Sequence, residues 1–417
     1  MAPMMKEQKR MVQLFDDLII GIMARHPPKS ILRFRCLSKS WNALLSSSSF
    51  ITMHLNHVKE SKYNDMQRLI LSSTYFLQSM SYEAEEKPSY RIDFPLDLKY
   101  CIELLGSCNG LLCLGMPRET LILWNPSIKE FKKLPLSCPL DMRDTFGFGY
   151  DHSTDVYKII RIFKLVDRIY SVEAPVDIYS LKSNTWKRIQ SFHLSRTFFE
   201  NSLSGTLVDK ILYWNVIYLP NHEQGQEGYS YSDITRRILG FDLTYETFEV
   251  LPLPNDVIEG RHFTLRVIGG CLSLAQNLKN LEGDSIEMWK LEKDNMKQSW
   301  TKFMTIMNLQ TLQYPHNLVP ICVMKNGEVL ITYSASVRFF AMGRKPSIFE
   351  LYDPVKDTFR RLKVDGLLLF CKRLSMTKES GLDKIIPEHI QKASQWLIFT
   401  AELFLSGIFT AEHIQKA

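Results

Sequence analysis

The sequence predicts a small all-α module of three short helices, followed by a large all-β domain. Residues 11–56 contain short apolar stripes at helical spacing, separated by prolines and serines. From about residue 100 onward, apolar strands alternate with polar turns, and pairs of aromatic residues recur at a fixed spacing. A chain of 417 residues suits two domains of unequal size.

The first predicted helix begins at Asp16 and Asp17, because carboxylates stabilise the N-terminal end of a helix. The apolar residues that follow share one helical face: Leu18, Ile19, Ile22 and Met23. Pro27 and Pro28 end this helix, since proline lacks an amide donor and clashes with the preceding turn.

Two further helices are predicted by serine caps. Ser30 is expected to cap a helix that carries Ile31 and Leu32, and Ser38 to cap a helix that carries Trp41. A fourth apolar stripe begins at residue 50 with a phenylalanine and a methionine three positions later. Helices of about ten residues are marginal in water without further contacts. The pattern alone leaves open whether their spare apolar surface packs against the rest of the chain or binds a partner.

An aromatic repeat organises the larger domain. In four copies an aromatic residue ends a strand and a second lies seven positions later: Trp124 and Phe131, Tyr179 and Trp186, Phe241 and Phe248, and Tyr352 and Phe359. A fifth copy, from Trp289 to Trp300, has a longer loop. The intervening polar segments favour tight turns, so the two aromatics are expected to face each other on adjacent antiparallel strands. Trp124 and the second aromatic of the later copies are expected to be largely buried.

The spacing of this repeat predicts a β-propeller. The copies lie 48 to 63 residues apart, and four-stranded units at roughly this spacing are typical of that fold. A β-sandwich would not need such periodicity. Five units are visible, and a sixth could draw on residues 69–94. The sequence therefore predicts a propeller over residues 100–375 and an irregular helical or disordered tail over 376–417, in which short segments are duplicated.

Charge and cysteine content restrict the class of protein. The formal charge is +6, and residues 1–60 hold nine basic and four acidic residues, so +5 lies there. A weakly basic face of this kind favours a solvated surface or an acidic partner over nucleic acid. The eight cysteines form no CxxC pair or zinc-site spacing, and reduced, buried thiols are expected.

Motifs for catalysis, secretion and membrane insertion are missing from the sequence. It contains no GxSxG, HExxH or phosphate-binding glycine loop, so neither an enzyme nor a cofactor is predicted. The polar stretch 151–155 is interpreted as a hairpin turn rather than as a metal or acid–base cluster. The apolar run 18–23 is too short to span a bilayer, and a cytoplasmic or nuclear protein without membrane contact is expected. The long loops 220–232 and 338–346 could contact a target or remain solvated.

Several stretches resemble a known pair of domains. Residues 29–30, 32–36 and 38–42, Lys-Ser, Leu-Arg-Phe-Arg-Cys and Ser-Lys-Ser-Trp-Asn, are similar to the plant F-box. Residues 106–112 and 146–151 resemble the F-box-associated, kelch-like domain. This combination resembles S-locus F-box proteins and related substrate receptors of plants. It implies a small all-α F-box followed by an all-β, kelch-like β-propeller.

The resemblance implies a substrate-recognition subunit of a Skp–cullin–F-box ubiquitin ligase, without enzymatic activity of its own. The F-box would bind the Skp-family adaptor and cullin, and the propeller an unknown protein target. The implied adaptor-binding residues are Leu14, Leu18, Ile22, Pro27, Ile31, Leu32 and Trp41. Gly21 and His26 depart from the family pattern, where an acidic residue and a leucine are usual. The alternatives are therefore a propeller scaffold with weakened adaptor binding and a carbohydrate-binding propeller.

Overall fold

In a computed structural model, the chain forms a helical module and a ring of β-sheets. The structure describes residues 17–375 apart from 27, 61–66, 74–76, 82–89, 93, 95–101, 117–119, 128, 137, 142–143, 164–173, 190–196, 200–203, 219–234, 259–260, 281–282, 295–296, 308, 313–317, 325, 334–348 and 363–367. The predicted tail and both predicted long loops lie outside the described residues.

The module contains four helices: α1 (residues 17–23), α2 (Pro28–Arg35), α3 (Lys39–Leu45) and α4 (Ser48–Glu60). Ser38 caps α3 as predicted, since its backbone is extended and its hydroxyl accepts a 3.1 Å hydrogen bond from the amide of Trp41. In contrast, α2 begins at Pro28, two residues before the predicted cap at Ser30. Proline is accepted in the first turn of a helix because the amide there has no intrahelical partner.

The core of the module is formed by Ala24, Ile31, Leu45 and Phe50, all buried. His54 extends this core, because its ring stacks on Phe50 and its Nδ1 lies 2.7 Å from the carbonyl oxygen of Ala24. The predicted fourth stripe is thus only partly correct. Phe50 faces inward, but the next inward residue is His54, one position after the expected methionine.

The strands of the larger domain form six antiparallel sheets. Each sheet is one blade of a propeller, so the predicted fold is confirmed. The strands of the first three blades are β1 (Gln67–Ser73), β2 (Leu77–Ser81), β3 (Tyr90–Ile92), β4 (Glu103–Cys108), β5 (Leu111–Met116), β6 (Thr120–Asn125), β7 (Glu130–Leu134), β8 (Thr145–Asp151), β9 (Val156–Ile162), β10 (Val176–Ser180) and β11 (Thr185–Ile189).

The last three blades and the closing strand complete the ring. Their strands are β12 (Thr197–Phe199), β13 (Thr206–Val208), β14 (Ile211–Tyr218), β15 (Thr235–Asp242), β16 (Thr247–Leu251), β17 (Phe263–Ile268), β18 (Cys271–Asn280), β19 (Gly283–Asp294), β20 (Lys297–Ile306), β21 (Leu318–Val323), β22 (Val329–Tyr333), β23 (Phe349–Asp353), β24 (Thr358–Leu362) and β25 (Leu368–Ser375).

The ring is closed by the final strand. β25 pairs antiparallel with β1, and the first blade has the strand order β25-β1-β2-β3. The innermost strands β4, β8, β13, β17, β21 and β25 neighbour one another in turn, and β25 lies next to β4. The first blade therefore combines the beginning of the domain with its end. The structure places the start of the propeller at Gln67, not at residue 100, because the short strands β1 to β3 lack the aromatic repeat that marks the other blades.

The aromatic repeat forms the predicted cross-strand pairs. Tyr179 lies opposite Trp186 with ring centroids 5.2 Å apart, and Phe241 lies opposite Phe248 at 4.7 Å. The first aromatic of each copy, including Trp124, is buried as expected. The second aromatic of each copy is only half-buried. The expectation that the second members are largely buried is wrong, because they lie on the outermost strands, where each blade meets solvent.

The fifth copy differs from the other four. The hairpin pairs Asp294 with Lys297, and this register places Trp300 opposite Leu291 rather than opposite Trp289. A β-bulge follows between Met288 and Trp289. The longer loop predicted from the sequence is therefore a longer hairpin, whose strands β19 and β20 extend beyond those of neighbouring blades.

Glycines allow adjacent blades to approach closely. A β-carbon at Gly106 on β4 would lie 2.5 Å from the β-carbon of Phe148 on β8. A β-carbon at Gly147 would lie 2.6 Å from a methyl group of Leu212 on β14. Any side chain at these positions would push neighbouring blades apart, so the innermost strands require glycine there.

The polar stretch 151–155 is a hairpin turn, as predicted. Asp151 accepts hydrogen bonds from the Ser153 amide at 3.0 Å and the Thr154 hydroxyl at 2.7 Å. Its carboxylate also lies 3.1 Å from the ammonium of Lys158, which reaches Glu246 of the next blade at 2.9 Å. The cluster therefore holds a turn together and connects two blades.

The cysteines are less buried than expected. Of the six with described side chains, Cys113 and Cys322 are buried, three are half-buried and Cys36 is exposed. These six cysteines form no disulfide bond.

Candidate functional site

Helix α1 carries apolar residues on two sides. Ile20, Met23 and Ala24 pack into the module core at i, i+3 and i+4. Leu18 and Ile22, one turn apart on another side, are 58% and 55% exposed. The predicted single apolar face is thus divided between the core and the surface. A helix that is apolar nearly all round is normally covered on all sides, whereas the outer side of α1 is exposed.

The module has further apolar side chains at its surface. Leu37, directly after α2, and Met53 on α4 are also exposed. Eight large hydrophobic residues are exposed in the described part of the chain, and four of them lie in this small module. A concentration of this kind is typical of a protein–protein interface.

The structure separates the predicted site residues into three groups. Leu18 and Ile22 lie on the surface, and Leu32 and Trp41 are half-buried. Ile31 is fully buried in the module core, so it stabilises the module and cannot touch a partner directly. The other two, Leu14 and Pro27, lie outside the described residues.

Leu37 and Met53 are the surface residues that sequence reasoning missed. Met53 belongs to the predicted fourth stripe, so only its orientation was unexpected. Leu37 lies between a helix end and a cap, where helical spacing gives no information about burial.

The two departures from the family pattern are accommodated locally. Gly21 lies within α1, and a β-carbon at this position would meet no atom within 4 Å. The His26 ring packs against Phe34, with centroids 5.8 Å apart, and Phe34 in turn contacts Trp41 at 6.3 Å. His26 therefore fills an aromatic contact within the module.

The surface of the module is basic. Residues 17–57 contain five Lys or Arg and one Asp. Arg25, Arg33 and Lys39 are exposed, whereas Arg35 donates a 2.8 Å hydrogen bond from Nε to the side chain of Asn42. A partner that covers Leu18 and Ile22 would match this basic surface best if acidic residues surrounded its apolar contact area.

The described residues lack the features of two further classes of site. They contain no group of three or more His, Cys, Asp or Glu side chains placed to hold a metal ion. None of their helices combines the length and apolar character needed to cross a lipid bilayer.

Comparison with known families decides the classification. Residues 11–52 match the F-box domain, and residues 57–353 match the F-box associated beta propeller domain. The chain belongs to the F-box proteins with an F-box-associated β-propeller. The F-box match includes all seven predicted adaptor-binding positions, and the propeller match begins shortly before β1.

Curated relatives of this F-box protein come from Arabidopsis thaliana. F-box protein CPR1 is 28% identical over 383 residues, covering 85% of this chain and 89% of the relative. An F-box/kelch-repeat protein is 29% identical over 316 residues, covering 72% and 81%. A third relative, also an F-box protein, is 26% identical over 342 residues, covering 77% and 81%.

Proposed function

We propose that this F-box protein is the substrate-recognition subunit of a Skp–cullin–F-box ubiquitin ligase. Its F-box binds the Skp-family adaptor and, through it, the cullin, while the propeller binds a protein target. Ubiquitin transfer is catalysed by a partner ubiquitin-conjugating enzyme and not by this chain. The proposed place of action is the cytoplasm or the nucleus.

The outer side of α1 is the observation that carries this proposal. Leu18 and Ile22 are exposed on a helix whose inner side already fills the module core. Covering two such side chains contributes roughly 1.5–3 kcal/mol each, which is enough to govern adaptor affinity. Because neither side chain supports the core, replacing both should affect binding and leave folding intact.

A pull-down with the Skp-family adaptor tests the proposal. The double variant Leu18→Asp, Ile22→Asp should lose the adaptor while melting as the wild type does. A control, Val355→Asp, places one such charge at a 92% exposed apolar residue of the propeller and should retain the adaptor. Equal retention by both variants would remove the basis of the proposal.

The alternative function is a propeller scaffold whose adaptor binding is weakened. Its structural basis is Gly21, which reduces the intrinsic stability of α1 by about 1 kcal/mol relative to alanine. A wild-type chain that folds but fails to retain the adaptor would favour this alternative.

A further inference from the structure

Basic residues are concentrated on the outer edges of the second and third blades. β7 contributes Lys132 and Lys133, β11 contributes Lys187 and Arg188, and the turns before these strands contribute Lys129 and Lys182. We call these six residues the basic rim.

The basic rim stands out against a nearly neutral domain. Residues 61–417 contain 51 − 9 = 42 basic and 45 − 4 = 41 acidic residues. The rim lies in two hairpins, residues 120–134 and 176–189. Their acidic residues are Glu130 on β7 and Asp177 on β10. The rim and these two carboxylates give 6 − 2 = +4, so basic residues are in excess in these two hairpins.

The strands that carry the two halves of the rim adjoin each other, although Lys187 lies on the side of β11 that faces the fourth blade, where it reaches Glu246. The indole Nε1 of Trp186 on β11 donates a 2.6 Å hydrogen bond to the carbonyl oxygen of Pro135, one residue after β7. Leu134 and Trp186 also pack in the same hydrophobic cluster. Lys132 is two residues from Leu134 on the strand, so it lies on the side of β7 that faces the third blade.

The cations of the rim differ in whether a carboxylate lies near them. Among the described residues, Lys132, Lys133 and Lys182 form no ion pair, and burial lowers the pKa of Lys132. Lys187 is 72% exposed and lies 3.4 Å from Glu246, a long contact for an ion pair. Arg188 differs, because its guanidinium is held by the buried carboxylate of Asp177 at 2.6 Å.

The sixth blade shows that outer-edge cations need not be free. There Arg360 lies 2.6 Å from Glu328, and Lys356 lies 2.9 Å from Asp353. In this respect Lys132, Lys133 and Lys182 differ from the cations on the outer edge of the sixth blade.

The rim also borders unpaired strand edges. β7 and β11 are each the last strand of their sheet among the described residues, so one row of backbone amides and carbonyls faces outward. An extended peptide can lie along such an edge, and carboxylates on it would meet the lysines. Lysines on edge strands also discourage pairing between identical chains, and this simpler role is the competing explanation.

We propose that the basic rim binds an acidic, extended segment of the protein target. This inference rests on the proposed function, since it assigns the target a chemical class and a place on the propeller. Nucleic acid fits less well, because proteins that bind single strands rely on exposed aromatic rings. Trp186 is the aromatic residue between the lysines at β11, and it packs against the neighbouring blade.

Fluorescence anisotropy on the full chain tests the inference. The probe is a labelled ten-residue peptide of alternating Glu and Thr, with the Gln/Thr peptide as neutral reference. The variant Lys132→Glu, Lys182→Glu, Lys187→Glu should weaken binding of the acidic peptide about tenfold or more, and added salt should weaken wild-type binding. Arg188 is left intact because its replacement would strand the buried Asp177.

A matched control reverses three lysines elsewhere, Lys293→Glu, Lys302→Glu and Lys356→Glu, and should bind the peptide within about twofold of the wild type. An equal loss in this control, or unchanged binding in the rim variant, would overturn the inference. So would tighter binding of a labelled single-stranded oligonucleotide than of the acidic peptide. If the rim variant melts early, the set of Lys→Gln changes at the same positions replaces it.

Adaptor co-purification, measured on the same samples, separates this inference from the proposed function. Both variants should retain the adaptor. Peptide binding without adaptor binding would count against the ligase assignment and leave the basic rim as a binding surface.

Discussion

The indole Nε1 of Trp186, on the outermost strand of the third blade, donates a 2.6 Å hydrogen bond to the carbonyl oxygen of Pro135 in the connection that leaves the second blade. The same arrangement recurs two blades later between Trp300 and Pro252, at 2.8 Å. Each proline is the centre of a Leu-Pro-Leu tripeptide that follows an outermost strand. Both bonds join neighbouring blades at the periphery, where the second aromatic of the repeat is only half-buried.

Replacing Trp186 with phenylalanine should therefore destabilise the propeller modestly. The ring contact with Tyr179 is largely kept, but the hydrogen bond is lost, at a cost of about 1 kcal/mol. Chemical denaturation followed by intrinsic fluorescence and circular dichroism measures the change. Trp300→Phe is the internal replicate and should shift the midpoint by a similar amount. Unchanged midpoints in both variants would show that the bonds contribute nothing.

Gly21→Ala should strengthen the F-box. The added methyl group meets no atom within 4 Å, and alanine is favoured over glycine in a helix interior by about 1 kcal/mol. Because α1 presents Leu18 and Ile22, a better-formed helix should also raise adaptor affinity. Calorimetric titration with the Skp-family adaptor compares the two chains. Ala43, an exposed residue of α3, provides the reverse control, since Ala43→Gly should lower stability.

Acid should destabilise the propeller partly through Asp151. Burial opposes ionisation, but hydrogen bonds from Ser153 and Thr154 and the ammonium of Lys158 outweigh it and hold the pKa of Asp151 well below its usual value. The folded-state pKa is lower than the unfolded value of about 3.9, so the carboxylate stabilises the fold above that pH. This stabilisation is lost as pH falls below about 4, towards the folded pKa.

The melting temperature of Asp151→Asn, measured from pH 2 to 7, checks this expectation, because this range of about five pH units spans the unfolded pKa. The variant should melt below the wild type at neutral pH, and the difference should shrink in acid. Asp256→Asn, at an exposed carboxylate, is the control and should follow the wild type. A difference that stays constant with pH would mean that Asp151 acts through packing and not through its charge.

Two truncations should have opposite results. Removing residues 376–417 leaves β25 in place, and melting temperature and adaptor binding should remain those of the full chain. Removing residues 363–417 takes away β25 and exposes the paired edge of β1, so cooperative melting of the propeller should be lost. If the shorter deletion also unfolds the protein, the segment after Ser375 contributes to the fold.

Much of the architecture could be predicted from local patterns. The pairing of Tyr179 with Trp186 follows from a seven-residue spacing and a turn sequence, and the role of Ser38 follows from cap chemistry. Both depend on residues close together in the chain. The pairing of β25 with β1 joins residues some three hundred positions apart, and neither strand carries the aromatic repeat. The sequence therefore indicated residues 69–94, where β1 to β3 lie, only as a possible sixth unit, and it did not indicate that β25 completes this blade.

The candidate site was predicted less completely, for a related reason. Helical spacing groups Leu18 with Ile22, but it cannot decide which side of an apolar helix faces the core. Ile31 illustrates the same limit, because a buried isoleucine and a partner-binding isoleucine have the same spacing. The direction of each residue depends on how α1, α2 and α4 pack together, and this is fixed by contacts between helices.

Closure by β25 also sets an order of events during synthesis. The F-box helices end at Glu60 and leave the ribosome early, whereas the first blade lacks its innermost strand until Ser375 has emerged. A nascent or prematurely terminated chain would thus present a finished F-box attached to an open ring. Such a chain could occupy an adaptor without holding a target. Pulse proteolysis of ribosome-bound chains of increasing length should show protection of the propeller only after β25 is released.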